Sequence, residues 1–181
     1  MMFTKTLGLA AAFATLASAL PSGTVKRNST EPASGSVLIT NNLNKDVYAW
    51  SVSNDVGPMQ TLTANGGTYS EAWKTNPNGG GISIKLSTDQ NQTSVLQFEY
   101  TQATDTIYWD LSCIDMESSS EFTEYGFSVL PSDDGSNASS CPSAVCKAGD
   151  NACSAAYLQP TDDHATHGCP IDTGLALNIG Q

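Results

Sequence analysis

Basic side chains are scarce in this 181-residue chain, where 7 Lys and Arg stand against 18 Asp and Glu. A surface of that sign repels nucleic acid and anionic lipid heads, which excludes both as partners. It does not by itself make a cation site, because acidic surfaces ordinarily serve solubility. Long apolar runs are missing too. The stretch at 7–16 is too short to span a bilayer and nothing later is longer, so no membrane insertion is expected. The final residues, Leu175-Ala176-Leu177-Asn178-Ile179-Gly180-Gln181, do not read as the apolar tail of a glycolipid anchor. There is no glycine-rich phosphate loop, no nucleophile elbow, no internal repeat and no long helical pattern. No cofactor is expected.

What is present begins with an export signal. Lys5, the apolar run and Ala17-Ser18-Ala19 form the three parts of a secretory signal peptide over 1–19, which implies a secreted protein of the medium or the cell wall. Lys26-Arg27 reads either as a second processing site closing a propeptide over 20–27 or as a chance doublet. Cutting there leaves four lysines against all 18 acids, a formal charge of −14. The remainder, 28–181, suits a polar leader over 28–35 and one domain over 36–181. Asn28-Ser29-Thr30, Asn91-Gln92-Thr93 and Asn137-Ala138-Ser139 are acceptor sequons, so glycosylation is expected at Asn28, Asn91 or Asn137.

From Ser36 onward the chain alternates short β-type runs with turn residues. Strands are predicted over 36–40, 46–53, 68–73, 82–87, 94–101, 106–112 and 172–179, a spacing that argues for an all-β sandwich. The polar, serine-rich 117–140 reads as a long surface loop held by Phe122, Tyr125 and the apolar 127–130. In the best-defined hairpin, Leu96, Phe98 and Tyr100 share one face, and Ile107, Trp109 and Leu111 share the facing one. Both sets must meet one core. A four-residue loop over 102–105 then sets Phe98 opposite Trp109 and Glu99 opposite Tyr108. Glu99 and Asp110 become diagonal neighbours on the outer face, their Cβ atoms about 7–8 Å apart.

Four of the five cysteines, Cys141, Cys146, Cys153 and Cys169, crowd the C-terminal part, which in an exported chain reads as a disulfide frame. Spacing alone does not choose the pairing. The loop between Cys153 and Cys169 carries Asp162-Asp163-His164-Ala165-Thr166-His167, whose two imidazoles either converge on an ion or decorate a polar loop. The second reading is adopted, with no metal expected.

These segments together resemble the thaumatin-like proteins, in particular the short fungal group called the Blastomyces yeast-phase-specific family. The resemblance is carried by Gln97-Phe98-Glu99-Tyr100-Thr101, by Tyr108-Trp109-Asp110-Leu111-Ser112-Cys113-Ile114-Asp115, by the Cys141 and Cys146 pair, and by Cys153-Ser154-Ala155-Ala156-Tyr157 running through Asp162-Asp163 to Cys169. It covers nearly all of the mature chain. It implies an antiparallel β-sandwich with bridges Cys141–Cys169 and Cys146–Cys153, each contributing about 2.5–4 kcal/mol on the chain-entropy model. Cys113 is left over, as a buried inert thiol or an intermolecular bridge. The resemblance further implies an acidic cleft of Glu99, Asp110, Asp115 and Asp162, with Asp163 the weaker stand-in for Asp162. Lys74 is the nearest match to an arginine at the cleft. The disulfide-rich region of larger members shrinks here to 147–152, so one wall of the cleft is expected to be mostly absent.

Two carboxyl groups at such a spacing suit glycoside hydrolysis through a water. An open half-cleft, however, lets carboxyl pKa values relax toward normal. The reading adopted is a secreted thaumatin-like protein of the cell surface that binds β-glucan or another wall polysaccharide without cutting it. It would also meet a host surface protein as an antigen or adhesin, which is implied only by the resemblance. The rivals are a weak endo-β-1,3-glucanase with Glu99 and Asp110 catalytic, and an antifungal defence protein. Tyr48 and Tyr69 are either sugar-stacking aromatics or half-buried strand residues.

Overall fold

Alternating apolar residues build two stacked sheets in the computed structural model, which describes residues 31–132 and 141–180. The strands are β1 Ser36–Asn41, β2 Val47–Val52, β3 Gln60–Leu62, β4 Gly67–Ala72, β5 Ile82–Ser87, β6 Leu96–Gln102, β7 Thr106–Ser112, β8 Phe127–Pro131, β9 Ala144–Cys146, β10 His167–Pro170 and β11 Leu175–Ile179. One short helix, α1, spans Glu121–Tyr125. One sheet has the order β4-β1-β11-β8-β9, and the other β10-β7-β6-β5-β2-β3. The fold is the all-β sandwich that the sequence implies. Its strand ladders are antiparallel apart from β1 and β11, which run parallel. The signal segment, the dibasic pair, Asn28 and Asn137 lie outside the described residues.

The inward faces form one core. From the first sheet come Val37, Ile39, Leu175, Leu177, Phe127 and Val129; from the second come Ile84, Leu96, Phe98, Trp109 and Leu111, all essentially buried. Trp73, Phe98 and Trp109 stack in a row at centroid spacings of 6.4 and 6.1 Å. Removing a ring from such a row would cost about 3–5 kcal/mol.

Two expectations need correction. The segment over 117–140 is not one long loop, since it contributes α1 and a strand, β8, that lies inside a sheet between β11 and β9. Phe127 and Val129 supply its inward face. Two such residues in a serine-rich stretch give little periodicity to read. Ser120 caps α1 by accepting from the Phe122 amide, and Gly126 ends it at φ 75°. A Cβ on Gly126 would sit 2.7 Å from the Ala148 nitrogen, so both conformation and space call for glycine.

The β6–β7 hairpin also differs, by one residue on each strand. Phe98 pairs with Leu111, Tyr100 with Trp109 and Glu99 with Asp110, while Gln102 stays in the ladder opposite Ile107. The turn is therefore 103–106, closed by Ala103 N donating to Thr106 O at 2.9 Å. Both registers put the same residues inward, so facial patterning could not separate them.

The disulfides are Cys141–Cys169 and Cys146–Cys153, the pairing the resemblance implies. Cys169 sits in β10 of one sheet and Cys141 just before β9 of the other, so this bridge ties two edges of the sandwich together.

Candidate functional site

The outer face of the six-stranded sheet carries a row that crosses four strands and is polar on three of them. Val52 of β2 pairs with Ser83 of β5, Ser83 with Glu99 of β6, and Glu99 with Asp110 of β7. The next row brings Thr101 opposite Tyr108 and Tyr108 opposite Gly168 of β10. Together with Gly81 and Thr166 these residues, Gly168 apart, line an open groove of about 380 Å³.

Glu99 and Asp110 are thus direct cross-strand partners rather than diagonal ones, which brings their Cβ atoms to about 4.5–5.5 Å. Asp110 Oδ1 is buried without a hydrogen-bond partner. Burial, and then the charge of Glu99 beside it, push the Asp110 carboxyl up to about 7. At neutral pH this pair therefore offers both a proton donor and acceptor oxygens.

The other acids expected in the cleft serve elsewhere. Asp115 is exposed beyond the end of β7, where its carbonyl accepts from the Val95 amide. Asp162 closes its own loop, with Oδ2 accepting from the Leu158 and Gln159 amides at 3.0 and 2.9 Å. Asp163 starts a 3-10 turn, Asp163–Ala165. None of the three lines the groove. The staple holds the loop of Asp162 and Asp163 beside β7, with Tyr157 bridged to Ser112, but the Asp162 carboxylate is turned toward local amides.

Lys74 is also engaged elsewhere. Its Nζ donates to Ser51 Oγ at 2.8 Å and to Glu71 Oε2 at 2.9 Å. Glu71 in turn accepts from Tyr100 OH at 2.6 Å, Tyr69 OH at 2.8 Å and Ser51 Oγ at 3.1 Å. This cluster joins β4 of one sheet to β2 and β6 of the other. Burial opposes the charge on Glu71, but the bonds from Tyr100, Lys74, Tyr69 and Ser51 outweigh it and hold the carboxyl below its ordinary value. Burial, and then bonding to Glu71, raise both tyrosines above their ordinary range. The sequence contains a sign of this cluster, because alternation puts Tyr69, Glu71 and Trp73 on one face and Trp73 is an inward residue.

A family model described as Blastomyces yeast-phase-specific protein matches residues 25–181. The chain belongs to that family. The secreted thaumatin-like protein calA of Emericella nidulans is 44% identical over 180 residues, covering 99% of this chain and 98% of the relative. The antigenic thaumatin-like protein of Arthroderma benhamiae is 45% identical over 141 residues, covering 78% and 68%. The crystal structure of the protein elicitor MoHrip2 from Magnaporthe oryzae aligns with a TM-score of 0.64 at 23% identity, over 81% of this chain and 98% of that one, which shows the shared fold. This member is a secreted thaumatin-like protein of the short fungal kind. Among its described residues no helix is long and apolar enough to cross a membrane.

The remaining candidates find plain roles in this family member. Tyr48 and Tyr69 are both half-buried, as the strand alternative has it. His164 is exposed, whereas His167 packs its ring 4.5 Å from that of Trp109, and burial lowers its pKa. The two imidazoles do not share surroundings. Cys113 is a buried free thiol, and burial pushes it up to about 12, too high for a reactive thiolate. Asn91 is exposed in the β5–β6 loop, beyond the ends of those strands remote from Glu99. The aromatic that sequence reasoning missed is Tyr108, which points outward and is 48% exposed. Its alternation with buried Ile107 and Trp109 was the available signal.

Proposed function

We propose that this secreted protein binds a neutral cell-wall polysaccharide, β-glucan above all, without cutting it, and uses that surface to meet walls and host tissue as an antigen or adhesin. The observation that carries the reading is the Glu99–Asp110 pair in an open groove beside an outward tyrosine. A sugar hydroxyl both donates and accepts, and a pair holding one proton offers both complements. The flat apolar body of Tyr108 suits the apolar face of a sugar ring. The name of the antigenic relative from Arthroderma benhamiae supports the host-facing part.

Geometry argues against cleavage. Hydrolysis places its two carboxyl groups on either side of the scissile bond. Here they are direct cross-strand partners that stand side by side on one face of one sheet. A pull-down on insoluble β-glucan tests the reading. Wild type is expected in the pellet, the Glu99→Gln/Asp110→Asn double variant in the supernatant, and laminarin should release no reducing ends.

A weak endo-β-1,3-glucanase is the second reading, favoured by one observation: the raised Asp110 beside a charged Glu99 is the division of labour that acid–base pairs require. Reducing-end release that disappears in Glu99→Gln would replace the binding reading with this one.

A further inference from the structure

Tyr108 stands between two depressions. The groove described above lies on its β6 side. On its other side, Asp105, Thr106, Gly168, Cys169 and Pro170 line a second, shallower hollow of about 430 Å³ at the β10 edge. Tyr108 borders both.

The register explains how one ring reaches both hollows. Gly168 is the β10 partner of Tyr108, and a Cβ built there would lie 3.4 and 3.5 Å from ring atoms Cε1 and Cδ1. The tyrosine ring therefore leans across the place where any other residue would project a side chain. Strands are about 4.8 Å apart, so the path from Glu99 over Tyr108 to Gly168 crosses three strands in about 10 Å. Each hollow alone falls within the size range of small-molecule sites. Neither is lined by a basic side chain, while Glu99, Asp110 and Asp105 border them, which disfavours anionic ligands.

We infer that Tyr108 is the central stacking platform of a glycan site with at least two subsites, one on Glu99 and Asp110 and one over Gly168 and Pro170. The ligand is a stretch of neutral polysaccharide laid across the strands rather than a single sugar or a chain end. This rests on the polysaccharide-binding reading above and adds the direction of the chain and the residues that set its length.

Calorimetric titration with laminari-oligosaccharides from the dimer to the hexamer tests it. Wild-type affinity is expected to rise at least ten-fold along the series. Tyr108→Ala should lose most of the hexamer affinity, and Tyr108→Trp should keep it. Gly168→Val should flatten the rise, because its side chain would push against the ring and fill the second hollow. Gly168 does not sit in the left-handed backbone region, and a Cβ there makes ordinary contacts, so this variant should fold with a melting temperature near wild type.

Binding without length dependence, or length dependence that survives Gly168→Val, would overturn the two-subsite inference alone. If no member of the series binds, while the insoluble-glucan pull-down is also negative, both this inference and the reading beneath it fall. Salt-sensitive binding of oligolysine with no sugar binding would likewise overturn both, and would assign the groove to a cationic peptide.

Discussion

Glu71 and Asp110 are both strand carboxylates of the same sandwich, half-buried and partly buried in turn, yet their surroundings differ in one decisive respect. Glu71 meets four donors: two tyrosine hydroxyls, a serine hydroxyl and a lysine. Asp110 meets none at its buried oxygen and faces another acid instead. Burial penalises charge in both places, and only donors reverse the penalty. The first carboxylate is consumed by the fold, and the second keeps unused bonding capacity at the surface of a groove. That unused capacity is what singles out Asp110 as the candidate acid.

Variants of these groups can break that contrast. The largest effect is expected for Glu71→Ala, which strands the buried Tyr100 hydroxyl and cuts the link between the sheets. Denaturant unfolding should show a loss of about 3 kcal/mol. A loss under about 1 kcal/mol would mean the cluster is ornamental.

Asp110→Asn should act in the opposite direction and less strongly. Its folded pKa of about 7 lies above the ordinary aspartate value, so its stabilising contribution is full below about pH 4 and is lost as pH rises through 7. The variant should therefore be more stable than wild type at pH 8, on the order of 1 kcal/mol after allowing for water in the open groove, with a smaller gain at pH 5 and none below about pH 4. Glu71 has the reverse sign, since its contribution is present above about pH 4.3 and fades as pH falls through its lowered pKa. From these two groups a wild-type stability maximum is expected in mildly acidic solution, and thermal melts across pH would locate it.

Glu99→Gln sharpens the comparison further. Burial is the larger cause of the Asp110 shift, so removing the neighbouring charge should bring that pKa only part of the way down, as carboxyl-carbon NMR titration would show. The smallest effect belongs to Lys74→Ala. Lys74 is 46% exposed in its side chain, and its loss should cost about 0.5 kcal/mol.

Much of this contrast was hidden in the sequence for a physical reason. The sandwich and the shared face of Glu99 and Asp110 were legible because alternation reports which side of a sheet a residue occupies. Register was not, because sliding both strands by one residue leaves the faces unchanged. The Glu71 cluster depends on β4 meeting β2 and β6 across the sandwich, a contact between sheets that no local pattern encodes. Asp115, Asp162 and Lys74 came from likeness to larger relatives; here Asp115 lies exposed beyond β7, Asp162 bonds nearby amides, and Lys74 bonds Ser51 and Glu71. The outward side of Tyr108 was legible from alternation, but that its ring stays uncovered depends on Gly168 of a strand from a distant part of the chain.

The covalent frame has a consequence for the life of this protein outside the cell. Lys147 is exposed within the small ring closed by Cys146 and Cys153, and that ring sits inside the span bridged by Cys141 and Cys169. An extracellular protease that cut after Lys147 would produce two polypeptides that cannot drift apart. The nick would stay invisible to intact mass apart from one added water, until a reductant released the halves.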